Sequence, residues 1–129
     1  MQFKNKLMFA VLMSGMTNMA YADMTQTSEI DEINAASCMV ASQGVYMAAV
    51  ERQAGSDKKK AKKALDKELR NIKKSFKNKE FVNFVETSWN NGLDIVYNMP
   101  VQTTDADKKA FIEQTTQAAL ISCMDDLQR

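Results

Sequence analysis

The residues that could do chemistry here are defined first by one that is missing. No histidine occurs among the 129 residues. That removes Ser-His-Asp and Cys-His catalysis, His-bearing zinc sites and the usual general base of neutral pH. Cys38 and Cys123 stand 85 positions apart, so they form neither a C-x-x-C exchange motif nor a four-thiolate metal site. Glycines at 15, 44, 55 and 92 are too scattered to cradle a phosphate. Paired carboxylates such as Asp105/Asp107 and Asp125/Asp126 are in principle candidates for glycoside-type acid–base work. They read more simply as helix-start acids and a polar tail. Asp105-Ala106-Asp107 also supplies the first two ligand positions of a calcium loop. The third place is Lys109 and the turn glycine is absent, so capping is the better reading. These residues predict no enzyme, no cofactor and no metal.

What remains is binding. Lys58, Lys59, Lys60, Lys62, Lys63, Lys67, Lys73, Lys74 and Lys77, with Arg70, crowd one segment. Their functional reading is attraction to a polyanion such as lipid A phosphates, anionic lipid, acidic glycan or nucleic acid. The plainer reading is a solvated face that balances acidic neighbours, and it is preferred. The lysines go round most of the helical wheel, arginine is scarce, and no aromatics are interleaved for base stacking. Nucleic acid is the least favoured target. Met39, Met47 and Met124 lie near the cysteines and read as core filler before a soft partner surface. They are too dispersed for copper(I). Trp89 is a core or rim residue, and a partner anchor only where a partner exists.

The ends of the chain set the compartment. Lys4 and Lys6 precede an apolar run of about ten residues, 7–16, and Ala20-Tyr21-Ala22 offers a small-x-small cleavage site. The run falls short of the roughly twenty residues that span a bilayer. Residues 1–22 therefore read as a cleaved signal peptide, 23–27 as a flexible start and 28–129 as one domain. The expected location is the periplasm, with the external medium as the alternative. Cleavage leaves 107 residues, enough for one core. Their net charge is −1, but it is segregated: −5 over 23–57, +9 over 58–79 and −5 over 80–129. Two cysteines in an exported small domain read as one disulfide, Cys38–Cys123, with free thiols or intermolecular bridges as the alternative.

The elements that position these residues read as four helices, an all-α bundle. Pro100 is the only proline, and Ala, Lys, Glu, Gln and Met dominate. The first helix is expected over 28–54, capped by Ser28 and ended by Gly55, with Ile30, Ile33, Val40, Met47 and Val50 at helical spacing. The second, after Ser56 or Asp57 and to about residue 77, carries a narrow stripe of Ala61, Leu65, Leu69, Ile72 and Phe76. Asn78 caps a third, ended by Pro100, whose Phe81, Phe84, Val85, Trp89, Ile95 and Val96 are the expected core. Asn90-Asn91-Gly92 is a predicted bend or break in it. The fourth, over 104–127, opens on Thr104 with Asp107 three residues on. Its expected inner face is Phe111, Thr115, Ala118, Ala119, Ser122 and Leu127. The bridge would tie the first helix to the last.

Cys38 early in a helix, Glu51-Arg52-Gln53-Ala54-Gly55 at its end, Tyr97-Asn98-Met99-Pro100 later, and Phe111 to Cys123 in a last helix form a recognisable layout. It resembles uncharacterised small exported two-cysteine helical proteins of Gram-negative bacteria. The lysine-rich second helix is a departure from that group. The resemblance implies export and a helical fold, and no activity.

The resulting expectation is a non-enzymatic periplasmic protein-binding module of the immunity, inhibitor or adaptor type. The alternatives are a polyanion or membrane-surface binder using 58–77 and an acid-stress chaperone. In the last, any trigger would sit near carboxylate values of about 4.

Overall fold

A computed structural model describes residues 29–127 of the chain. The segments read above as a signal peptide, a flexible start and the Ser28 cap lie outside these residues, and the side chain of Ile30 is likewise not described. The chain divides into two units, Met1–Asn34 and Ala35–Arg129, and the packing below is that of the second. The four helices are α1 Glu29–Gln53, α2 Lys58–Ser75, α3 Lys79–Tyr97 and α4 Asp105–Leu127. No strand occurs among the described residues.

Local chemistry sets the boundaries. Gly55 takes φ 86° just past α1, a left-handed turn that a side chain disfavours. Asp57 caps α2 by accepting the Lys60 N–H at 2.8 Å. Asn78 caps α3 by accepting the N–H groups of Glu80 and Phe81. Thr104 Oγ1 accepts the Asp107 N–H at 3.0 Å at the start of α4. Two helices stop earlier than their patterns predict. α2 ends at Ser75, and Phe76 is its extended C-cap residue. α3 ends at Tyr97 with Asn98 as its C-cap, just ahead of Met99, the residue that Pro100 pushes out of the helical region.

The core is built from three helices. α1 contributes Cys38, Ala41, Val45, Ala48 and Ala49; α2 contributes Ala61, Leu65 and Leu69; α3 contributes Val85, Trp89, Leu93 and Val96. By length and hydropathy the Glu32–Gln53 stretch of α1 could cross a membrane. It serves here as a core helix, its small residues packed against the other two. Gly44 lies under the indole of Trp89, where a Cβ would overlap the ring. Gly92 faces Val45, and a Cβ there would meet Val45 Cγ2 at 2.7 Å. Each helix thus offers one glycine to a side chain of the other. The predicted break at Asn90-Asn91-Gly92 is corrected: α3 runs through it unbroken. Gly92 is needed for a close approach between helices rather than for a turn.

Other inner-face assignments also move. Ile95 is 56% exposed beside the buried Val96, and Ile33 and Phe76 are exposed as well. On α4, Phe111, Ile112 and Ala119 lean on the core, while Ala118, Ser122 and Leu127 face solvent. No residue of α4 is fully buried. The Cys38–Cys123 disulfide is formed, with Cα atoms 5.6 Å apart, and joins the first helix to the last.

A polar lock joins the two loops at one end of this unit. Gln53, 3% exposed, donates to Pro100 O at 3.3 Å and accepts from the Gln102 N–H at 2.8 Å. Arg52 Nε donates to Met99 O at 2.9 Å, and its guanidinium lies 5.2 Å from the Tyr97 ring centre. The Tyr97 hydroxyl donates to Ser56 O at 2.9 Å. The Glu51–Gly55 and Tyr97–Pro100 motifs are therefore the two halves of one latch. Gln53→Ala is expected to cost about 2 kcal/mol, since it removes two part-buried hydrogen bonds, from the Gln102 N–H and to the Pro100 carbonyl. Urea unfolding measures it, and a change within experimental error would mean that water replaces the amide.

Burial, then the negative charge of Glu51, raise the Tyr97 pKa above its usual value; Arg52 opposes them and Asp57 adds a small further rise. The folded state thus prefers the protonated phenol. Its contribution is whole below the unfolded tyrosine value, near 10, and is lost as pH climbs through the folded value. Stability should therefore fall on the alkaline side. A Tyr97→Phe variant should show a flatter fall when unfolding is followed against pH.

Candidate binding surface

The basic residues of α2 divide into two sets once α3 is beside it. Lys58 Nζ meets Asp94 at 2.7 Å, Lys62 Nζ meets Asp66 at 3.0 Å and Asn90 at 3.4 Å, and Lys73 Nζ meets Glu86 at 3.8 Å. All three ion pairs are exposed, so each adds only about 0–1 kcal/mol. What they do is consume the cations that flank α3. Among the described residues, Lys59, Lys60, Lys63, Lys67, Arg70 and Lys74 form no ion pair. All six are exposed. At 3.6 residues per turn they fall within an arc of roughly 100° on the side away from Ala61, Leu65 and Leu69. The uniform wheel expected of these lysines is thus corrected to one free basic ridge, about 21 Å long from Lys60 to Lys74.

The ridge is convex. Beside it, Lys58, Lys59, Lys62, Asn90, Leu93 and Asp94 line an open trough of about 620 Å³. The trough holds a single ion pair and no acid–base couple. At the other end of α2 the connection to α3 is three residues long, Phe76-Lys77-Asn78. Phe76 is 46% exposed there, with its ring centre 4.9 Å from that of Phe81.

The remaining candidates are dispersed. Trp89 is 3% exposed and donates Nε1–H to Val40 O at 2.9 Å, so it is spent inside the fold and is not a partner anchor in this structure. Met47 packs against the core, and Met39 and Met124 are half-buried on either side of the disulfide. Asp105 and Asp107 sit in the first turn of α4, where they complement its dipole, and Asp125 and Asp126 are exposed near its end. Among the described residues no group of three or more acidic, cysteine or histidine side chains is arranged to hold a metal.

The missed surface is the outer side of α4. None of the helix's side chains is fully buried, and Ile121 is 62% exposed, with Leu127 also open to solvent. The only sequence signal was an even scatter of apolar residues along 105–127 where one inner stripe was sought. In the comparisons with known proteins, no family model, no curated protein and no solved structure matches the chain.

Proposed function

We propose that this chain is a non-enzymatic protein-binding module of the periplasm, of the immunity, inhibitor or adaptor type. The observation that supports the reading is α4, a 23-residue helix with no fully buried side chain and with the large apolar Ile121 62% exposed. Such a helix gives little to its own core. It is nevertheless held in place, by the Thr104 cap and the Gln53 latch at its start and by the disulfide near its end. A helix fixed in advance loses little further freedom when a partner closes over it. The disulfide is compatible with an oxidising, exported location. The absence of histidine, together with the scattered cysteines and glycines, leaves recognition rather than turnover as the work of the molecule.

The test is capture from periplasmic extract on the immobilised, disulfide-bonded chain. A saturable protein partner is expected, and Ile121→Glu is expected to weaken its capture at least tenfold, because an apolar contact is replaced by a charge. Failure to recover any saturable partner, or capture indifferent to Ile121→Glu, would overturn the reading.

A further inference from the structure

The turn between α2 and α3 combines two properties that rarely meet on a surface with no use for them. It exposes an aromatic ring, Phe76, and it sets cations on both sides of that residue along the chain. Residues 70–81 carry Arg70, Lys73, Lys74, Lys77 and Lys79 against a single acid, Glu80. Among the described residues only Lys73 of these cations is engaged by an ion pair, at 3.8 Å to Glu86. Phe76 is directed by the backbone. Its N–H closes the helix on Ile72 O at 2.9 Å, while φ −120° and ψ 127° turn the chain out of the helix at that residue. The ring rests on Phe81 and leaves its outer side in water.

We propose that this turn docks the protein, tip first, on a bilayer surface rich in anionic phospholipid. Phe76 enters the boundary between headgroups and acyl chains. Arg70, Lys74, Lys77 and Lys79 take the surrounding phosphates, and Lys59, Lys60, Lys63 and Lys67 along the ridge supply long-range attraction. The composition favours lipid over an acidic protein, since protein interfaces are depleted in lysine. A membrane accepts lysine readily, because a flexible stem lets the ammonium reach a headgroup while its methylenes cover apolar surface. The exposed ring favours lipid over a free polyanion, which offers an aromatic wedge nothing to enter. This inference uses a different face from the α4 protein-binding reading and goes beyond it.

The experiment is co-sedimentation of the disulfide-bonded chain with vesicles of phosphatidylcholine, alone and mixed with phosphatidylglycerol. Binding is expected only with the anionic lipid and should weaken steeply as salt shortens the screening length. Each cation near the surface is worth about fivefold, so the Lys74→Gln, Lys77→Gln, Lys79→Gln triple variant should bind roughly a hundredfold less well. Phe76→Ser should cost about tenfold. Lys58→Gln, Lys59→Gln and Lys60→Gln, at the far end of the same helix, should cost clearly less than the tip triple. They relieve positive charge at a helix start and break only the exposed Lys58–Asp94 pair, so loss of folding does not confound them.

Binding that ignores phosphatidylglycerol would overturn the proposal. So would a Phe76→Ser variant that binds as well as the parent, because charge alone would then suffice and the target would be any polyanion. Equal losses for the two lysine triples would also overturn the tip-first geometry. Ile121→Glu should leave vesicle binding unchanged, so failure on vesicles and failure to capture a protein partner are read separately.

Discussion

Replacing Cys38 and Cys123 together by alanine is expected to lower the stability of this domain by about 4–5 kcal/mol. The bridge closes a loop of 85 residue steps, and the chain entropy it removes from the unfolded state is of that size. A domain of this length has roughly 5–15 kcal/mol in total, so the loss would leave little in reserve. The structure adds where the loss should be felt. α4 has no fully buried side chain, and its far half adds only Ala119 to the core. Hydrogen exchange should therefore rise first over residues 117–127, while α2 and α3 stay protected. Urea unfolding with and without reductant gives the magnitude. A loss below about 1 kcal/mol would overturn the loop-entropy account and point to residual structure in the unfolded chain.

The second large effect belongs to a single methyl group. Gly44→Ala should destabilise the fold by about 3 kcal/mol, at the upper end of overpacking costs. Alanine improves helix propensity by about 1 kcal/mol at an interior position, so the substitution would stabilise α1 if the helix stood alone. In the fold its Cβ overlaps the Trp89 ring. The indole must move, and its bond to Val40 O is then lost. Pairing Gly44→Ala with Trp89→Leu should recover part of the loss relative to the sum of the single changes, as coupled neighbours do. Strict additivity in that cycle would mean that the two residues are not in contact. Gly92→Ala should cost less, because the group in its way is one methyl of Val45 rather than an aromatic ring.

How much of this could be read from sequence depends on how local its cause is. Asp57, Asn78, Thr104 and Gly55 act on backbone groups a few residues away, and the helix ends they mark are where the sequence puts them. The Ala61-Leu65-Leu69 stripe is legible because lysine occupies most of the remaining surface of α2. The Cys38–Cys123 pairing is legible because only one intramolecular pairing exists. The failures share the opposite property. Gly92 looks like a hinge until α1 is brought against it. Ile95 looks like core until Val96 is seen to hold that place. The lysines of α2 look uniform until Asp94 and Glu86 on α3 pair with those on one flank, leaving the rest as a ridge. The fourth helix misled because its apolar residues are spread around it, so no periodicity could select an inner face.

The bridge between the first and last helices has a further consequence, for what happens when the chain is cut. Every exposed connection in the domain, 54–57, 76–78 and 98–104, lies between Cys38 and Cys123. A protease that cuts any one of them opens the chain without releasing a piece of it. The nicked molecule keeps its mass on a non-reducing gel and separates into fragments only when reduced. Its two halves stay within reach of each other and can close again on the same core. The covalent tie thus acts as damage tolerance, because a single cleavage does not by itself separate the domain into pieces.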